Sequence, residues 1–92
     1  MKIGGNVLGE KLLEVGRVAH FFVHINVAVI DVTDTLSVGD KIAIKGPTTD
    51  IEQTVDSMEI EHAKVKQATA GQSIGMKVKA RVRENDTAYK TS

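Results

Sequence analysis

The stretch Ile74-Gly75-Met76-Lys77-Val78-Lys79-Ala80-Arg81-Val82-Arg83 decides the fold class. From Met76 to Arg83 the alternation has no exception: Met76, Val78, Ala80 and Val82 are apolar, and Lys77, Lys79, Arg81 and Arg83 are cations. A period of two belongs to a half-buried β-strand, because successive side chains point to opposite faces. The expectation is one strand over Met76–Arg83, with its four apolar residues on a core and its four cations in a row outside.

Outward from this stretch, turn signals and short apolar runs follow each other at even spacing. Downstream, Glu84-Asn85-Asp86 reads as a tight turn and Thr87-Ala88-Tyr89-Lys90 as a short final strand. Upstream, Ala63 to Gly71 is a longer connection, and Ile51 to Glu61 is a strand with Met58 and Ile60 inward and Glu59 and Glu61 outward. Val55 has the opposite parity, which places a bulge near Asp56-Ser57. Lys41-Ile42-Ala43-Ile44-Lys45 alternates with Ile42 and Ile44 inward and Ala43 outward, between a turn at Gly39-Asp40 and a stop at Gly46-Pro47. Val15 to Val32 is strand-like, with a turn at Val23-His24-Ile25-Asn26; apolar residues on both parities imply a strand buried on both sides or a bulge that shifts the parity, and Phe21 or Phe22 is read as core. Met1 to Glu14 is read as a loosely held arm, and residues 15–92 as one domain. Five or six short strands and no convincing helix argue for an all-β barrel.

A chain of 92 residues suits one domain. Twelve Lys and Arg balance twelve Asp and Glu, so the net charge gives no general attraction to nucleic acid or anionic lipid. That zero is a cancellation: residues 31–61 carry a net charge of −6 and residues 62–92 one of +5. The absence of cysteine removes a disulfide framework, a thiolate nucleophile and every Cys-based metal site. No apolar run approaches the length of a membrane helix, and the first fourteen residues lack the apolar core of a signal peptide. The expectation is a cytoplasmic protein without a membrane partner.

The segments Val15-Gly16-Arg17-Val18, Val27-Ala28-Val29-Ile30 and Leu36-Ser37-Val38-Gly39-Asp40-Lys41-Ile42-Ala43-Ile44-Lys45-Gly46 resemble, in pattern and order, the second domain of translational GTPases such as elongation factor Tu. Gly46-Pro47-Thr48-Thr49-Asp50 with Gln53-Thr54-Val55-Asp56-Ser57-Met58 is similar to small stand-alone proteins labelled elongation-factor-like. It is also similar to barrels at the end of collagenase-like peptidases. The resemblance implies a six-stranded, closed or nearly closed β-barrel with Greek-key features, and a role in holding RNA or a ribosome-associated protein. No Gly-x-x-x-x-Gly-Lys-Ser/Thr loop is present, so no nucleotide is expected.

Two candidate surfaces follow. Lys77, Lys79, Arg81 and Arg83 are the candidate nucleic-acid contacts, because alternate strand residues lie about 6.5–7 Å apart, near the phosphate spacing of a single strand. The competing reading is a charge ladder against Glu59 and Glu61, and it weighs more, because Phe21, Phe22 and Tyr89 are the only aromatics for base stacking. Pro47, Thr48, Thr49 and Asp50 form the candidate partner-binding loop. His20, His24 and His62 lack the spacing of a metal site, and Ser57 and Ser73 have no adjacent His to activate them. No metal, cofactor or catalytic residue is expected. The reading is a non-catalytic binding module of translation-factor type; the alternative is an accessory protein-interaction subunit of a peptidase or RNA-modifying enzyme.

Overall fold

Val27-Ala28-Val29-Ile30-Asp31-Val32 shows how the alternation is used. Ala28, Ile30 and Val32 are buried, while Val27 and Val29 are half-buried and Asp31 is exposed. The segment is a strand that pairs on both sides, with its even residues on the core. The computed structural model describes residues 12–91, and their regular elements are all strands. They are β1 (Leu12–Phe22), β2 (Val27–Val32), β3 (Leu36–Ser37), β4 (Lys41–Gly46), β5 (Thr49–Thr54), β6 (Met58–Ile60), β7 (Ala63–Val65), β8 (Gln67–Ala68), β9 (Ser73–Lys77) and β10 (Thr87–Thr91). Eight form one sheet in the order β5-β4-β10-β1-β2-β9-β6-β7, and β3 pairs with β8. The pairings are antiparallel, and the last strand lies between β4 and β1.

The all-β expectation holds; the six-stranded, closed or nearly closed barrel is not confirmed, because no sheet closes on itself among the described residues. Among the described residues the sheet runs open from β5 to β7. The edge of β9 away from β2 is taken by β6, where Glu59 pairs with Gly75, so β5 does not pair there. The gap between β5 and the chain leaving β9 is spanned by a side chain instead. The Gln53 amide donates to the Lys77 carbonyl at 3.0 Å and accepts the Lys79 N–H at 2.9 Å.

The deciding stretch is also shorter as a strand than its alternation implies. Strand pairing ends at Lys77, opposite Val27. Beyond it, the Val78 N–H goes to the Asn26 carbonyl and the Lys79 N–H to Gln53, so no ladder continues. Met76, Val78 and Val82 are still buried, and Ala80 is half-buried. Alternating burial thus persists through an irregular segment because the same core lies beneath it.

Ile51–Glu61 is likewise two strands. Val55 donates to the Asp40 carbonyl and accepts from Gly39 N–H, which ties it to the turn before β4 and separates β5 from β6. Ala43 is buried rather than outward. Of the arm expected over residues 1–14, residues 1–11 lie outside the described residues, and Leu12–Glu14 pair with Thr91–Tyr89 of β10.

The core gathers Val15, Val18, Ile30, Leu36, Ile42, Ile44, Val55, Met58, Ile74, Met76, Val78 and Val82, all at most 2% exposed. Burying each large aliphatic side chain contributes roughly 1.5–3 kcal/mol before conformational entropy is counted. Gly46 is required by close approach: a Cβ there would run into the Asp86 carboxylate, which is 2% exposed and held by the Arg83 N–H at 2.8 Å. Gly16 is required in the same way, since a Cβ would sit 2.6 Å from Ile30 Cγ2 and 2.8 Å from the Asp31 carbonyl.

Candidate interaction surface

The β1–β2 hairpin turns through Val23-His24-Ile25-Asn26, with Asn26 in the left-handed region at φ 54°. Register shifts by one residue between Val18 and His20, so the parity of β1 changes before the turn. Phe21 then packs against the core, opposite buried Ala28, while Phe22 is left outside beside Val27. Phe22, Val23 and Ile25 are 45%, 52% and 56% exposed. Turns are normally polar because they face water, so three large apolar side chains at one hairpin tip make it the candidate contact surface. Of the two phenylalanines, this register shift puts Phe21 and not Phe22 against the core. The signal for the site was present in the sequence: Val23 and Ile25 stand in a turn where neither can be buried.

The tip has two unlike sides. On one side a cleft of about 340 Å³ is lined by Phe21, Val23, Arg81, Arg83 and Glu84. Here His20 Nδ1 meets Glu84 Oε2 at 3.0 Å and its ring packs edge-on to Phe22, centroids 4.5 Å apart. On the other side a cleft of about 520 Å³ lies over β2 and β9, with Phe22, Ile25, Val27, Val29 and Gly75 beneath Glu59, Glu61 and His62.

The four candidate cations are all exposed but do not share one surface. Lys77 and Lys79 border a separate polar cleft of about 470 Å³ with Gln53, Asp56 and Ser57. Arg81 and Arg83 flank the hairpin tip. The turn of the chain after Lys77 separates the two pairs. The expected ladder is not formed: among the described residues no ion pair joins these cations to Glu59 or Glu61, and Glu59 stands across from Lys64 and Gly75.

Pro47 and Thr48 form a tight connection between paired Gly46 and Thr49. Both are exposed, whereas Thr49 is 5% exposed and Asp50 is held by Lys45 Nζ at 2.8 Å. Among the described residues no group of three His, Asp or Glu is arranged to hold a metal. Ser73 Oγ donates to Asp31 Oδ1 at 2.7 Å and Ser57 lines the polar cleft. No helix among the described residues is long and apolar enough to cross a membrane.

The same all-β arrangement occurs in a solved structure. The structure matches the C-terminal domain of a Geobacillus thermoleovorans protein assigned to the U32 peptidases, with a TM-score of 0.79 over 83% of this chain and 89% of that domain, at 19% identity. In sequence the chain is 39% identical over 89 residues to an uncharacterized protease of Methanocaldococcus jannaschii. It is 38% identical over 91 residues to a collagenase of Porphyromonas gingivalis. These alignments cover 96% and 97% of this chain, but it spans only 22% of the length of either relative. No protein-family model matches. The matches correct the translation-factor reading: the similar proteins are named protease and collagenase, so elongation-factor-like identity, RNA binding and ribosome association have no support. The likeness to the terminal barrels of collagenase-like peptidases is the part of the resemblance that stands.

Proposed function

We propose that this chain is a non-catalytic accessory module of a peptidase, acting through protein contacts that position a polypeptide substrate or a neighbouring domain. The observation that carries the reading is the match of nearly the whole chain to about one-fifth of the length of two proteins named protease and collagenase. The shared fold with the C-terminal domain of a U32 peptidase supports it. So does the exposed apolar hairpin tip, which suits contact with protein.

A chimera tests the reading. The segment of the Methanocaldococcus jannaschii protease that matches this chain is deleted, or replaced by this chain, and hydrolysis of labelled gelatin is followed. Deletion is expected to raise KM by about tenfold or more with kcat little changed, because binding rather than chemistry is lost. Replacement should restore KM. Hydrolysis by the isolated 92-residue chain would overturn the non-catalytic assignment. Unchanged kcat/KM on deletion would overturn the accessory role.

A further inference from the structure

We propose that the cleft on the outer face of β2 and β9 binds an extended polypeptide segment that presents a large apolar side chain flanked by Lys or Arg. The outer face of an antiparallel sheet is ordinarily polar. Here that face is apolar in one place. Val27 and Val29 of β2 form the floor, paired across from Lys77 and Gly75 of β9, and Phe22 and Ile25 form a wall. At about 520 Å³ the cleft is of the size that encloses small ligands or a few side chains.

Gly75 gives the floor its depth. A Cβ at this position would meet only Val27 Cγ1, at 3.6 Å, an ordinary contact. Packing therefore does not demand glycine; the bare backbone leaves room above β9.

The charge around the floor selects the partner. Glu59 stands beside Gly75 on β6, and Glu61 follows at the β6–β7 turn. Both are exposed, and neither is in an ion pair among the described residues. Asp31, paired with Ser73, adds a third carboxylate at the far end of the same face. Three cations stand on the same face beside these acids: Lys77 opposite Val27, Lys64 opposite Glu59 and Arg17 opposite Asp31. None of them lines the cleft, whose acidic lining residues are Glu59 and Glu61, so an apolar anchor with cationic neighbours fits its rim where an acidic one is repelled. The rim turns at Glu61 and His62, whose φ values of 50° and 69° are those of a two-residue hairpin between paired Ile60 and Ala63.

The inference names the surface and ligand class for the accessory module, and it rests on that reading. Its test uses the isolated chain, so it fails separately from the chimera. Amide chemical shifts of the 15N-labelled 92-residue chain are followed against three octapeptides with Lys-Leu-Lys, Glu-Leu-Glu or Lys-Ser-Lys at their centre. The first peptide should move Val27, Val29, Gly75 and Glu61 saturably, with a Kd at least about tenfold lower than either control. Glu59→Lys with Glu61→Lys should reverse the preference towards Glu-Leu-Glu. Gly75→Val should abolish binding while the rest of the spectrum is retained. Equal binding of all three peptides, or shifts confined to the Lys77–Lys79 cleft, would overturn the proposal. So would groove shifts that depend on protein concentration without peptide, since a second copy would then be the occupant.

Discussion

Gln53 and Lys79 are joined across the open seam of the sheet: the Gln53 Oε1 accepts the Lys79 N–H at 2.9 Å, while its Nε2 serves the Lys77 carbonyl at 3.0 Å. One amide side chain thus does at this seam what a strand ladder does elsewhere. It also places Val78 between two anchored neighbours, with its side chain on the core.

Gln53→Ala removes both bonds. The site is exposed, so water replaces part of what is lost, and the cost should be about 1–2 kcal/mol. For a domain of this size each kcal/mol lowers the melting temperature by roughly 4–8 °C. Hydrogen exchange gives the local reading: the Lys79 amide should lose protection while Ile30 and Ile44 keep theirs. An unchanged Lys79 exchange rate would remove Gln53 from this role.

Gly46→Ala should destabilise by about 2–3 kcal/mol, as overpacking does in tight sites, because the Asp86 carboxylate is buried and tied to the Arg83 N–H. In an Asp86→Ala background the same change should cost at least about 1 kcal/mol less, since the colliding group is gone. Denaturant midpoints of the four proteins measure the coupling. Additive costs would mean that Gly46 is needed for another reason.

Glu61 and His62 connect paired Ile60 and Ala63 with both residues at positive φ, the pattern of a type I′ hairpin. That pattern favours Asn-Gly. Glu61→Asn with His62→Gly should therefore stabilise the chain by roughly 1–2 kcal/mol, read as a higher melting temperature. If the rim serves binding, the stabilised variant should take the Lys-Leu-Lys peptide less well, because Glu61 has lost its charge.

Lys79→Ser and Arg81→Ser should change stability by no more than about 0.5 kcal/mol, since both side chains are exposed and in no ion pair among the described residues. Ile30→Ala, at the centre of the sheet and fully buried, should cost about 2–5 kcal/mol. Urea denaturation of the three variants separates them. A large loss at Lys79 or Arg81 would restore the charge-ladder reading.

Much of the fold was legible because burial leaves a local mark. The turns at Val23–Asn26, Gly39-Asp40 and Glu84–Asp86, the strand at Lys41–Lys45 and the final strand at Thr87 could be read from turn chemistry and period two alone. The inward set Met76, Val78 and Val82 was legible too, although most of its segment is not a strand. Period two records which side faces the core and is silent about hydrogen-bonding partners. The candidate site was less legible. Apolar residues on both parities of residues 15–32 allowed a bulge, but which of Phe21 and Phe22 faces the core depends on where the register shifts, and the shift between Val18 and His20 has no Gly or Pro to mark its place.

By itself, then, the sequence determined the all-β class, the inward residues and most of the turns, because these depend on neighbours one to three residues away. Tertiary structure decided the rest. That β6, not β5, occupies the edge of β9 depends on contacts between distant segments. So does the parting of Lys77 and Lys79 from Arg81 and Arg83. The cleft is the clearest case: Val27 and Val29 of β2, Gly75 of β9 and Glu59 of β6 share one face only through the register of three strands. Register is set by the packing of the whole sheet, and no local pattern records it.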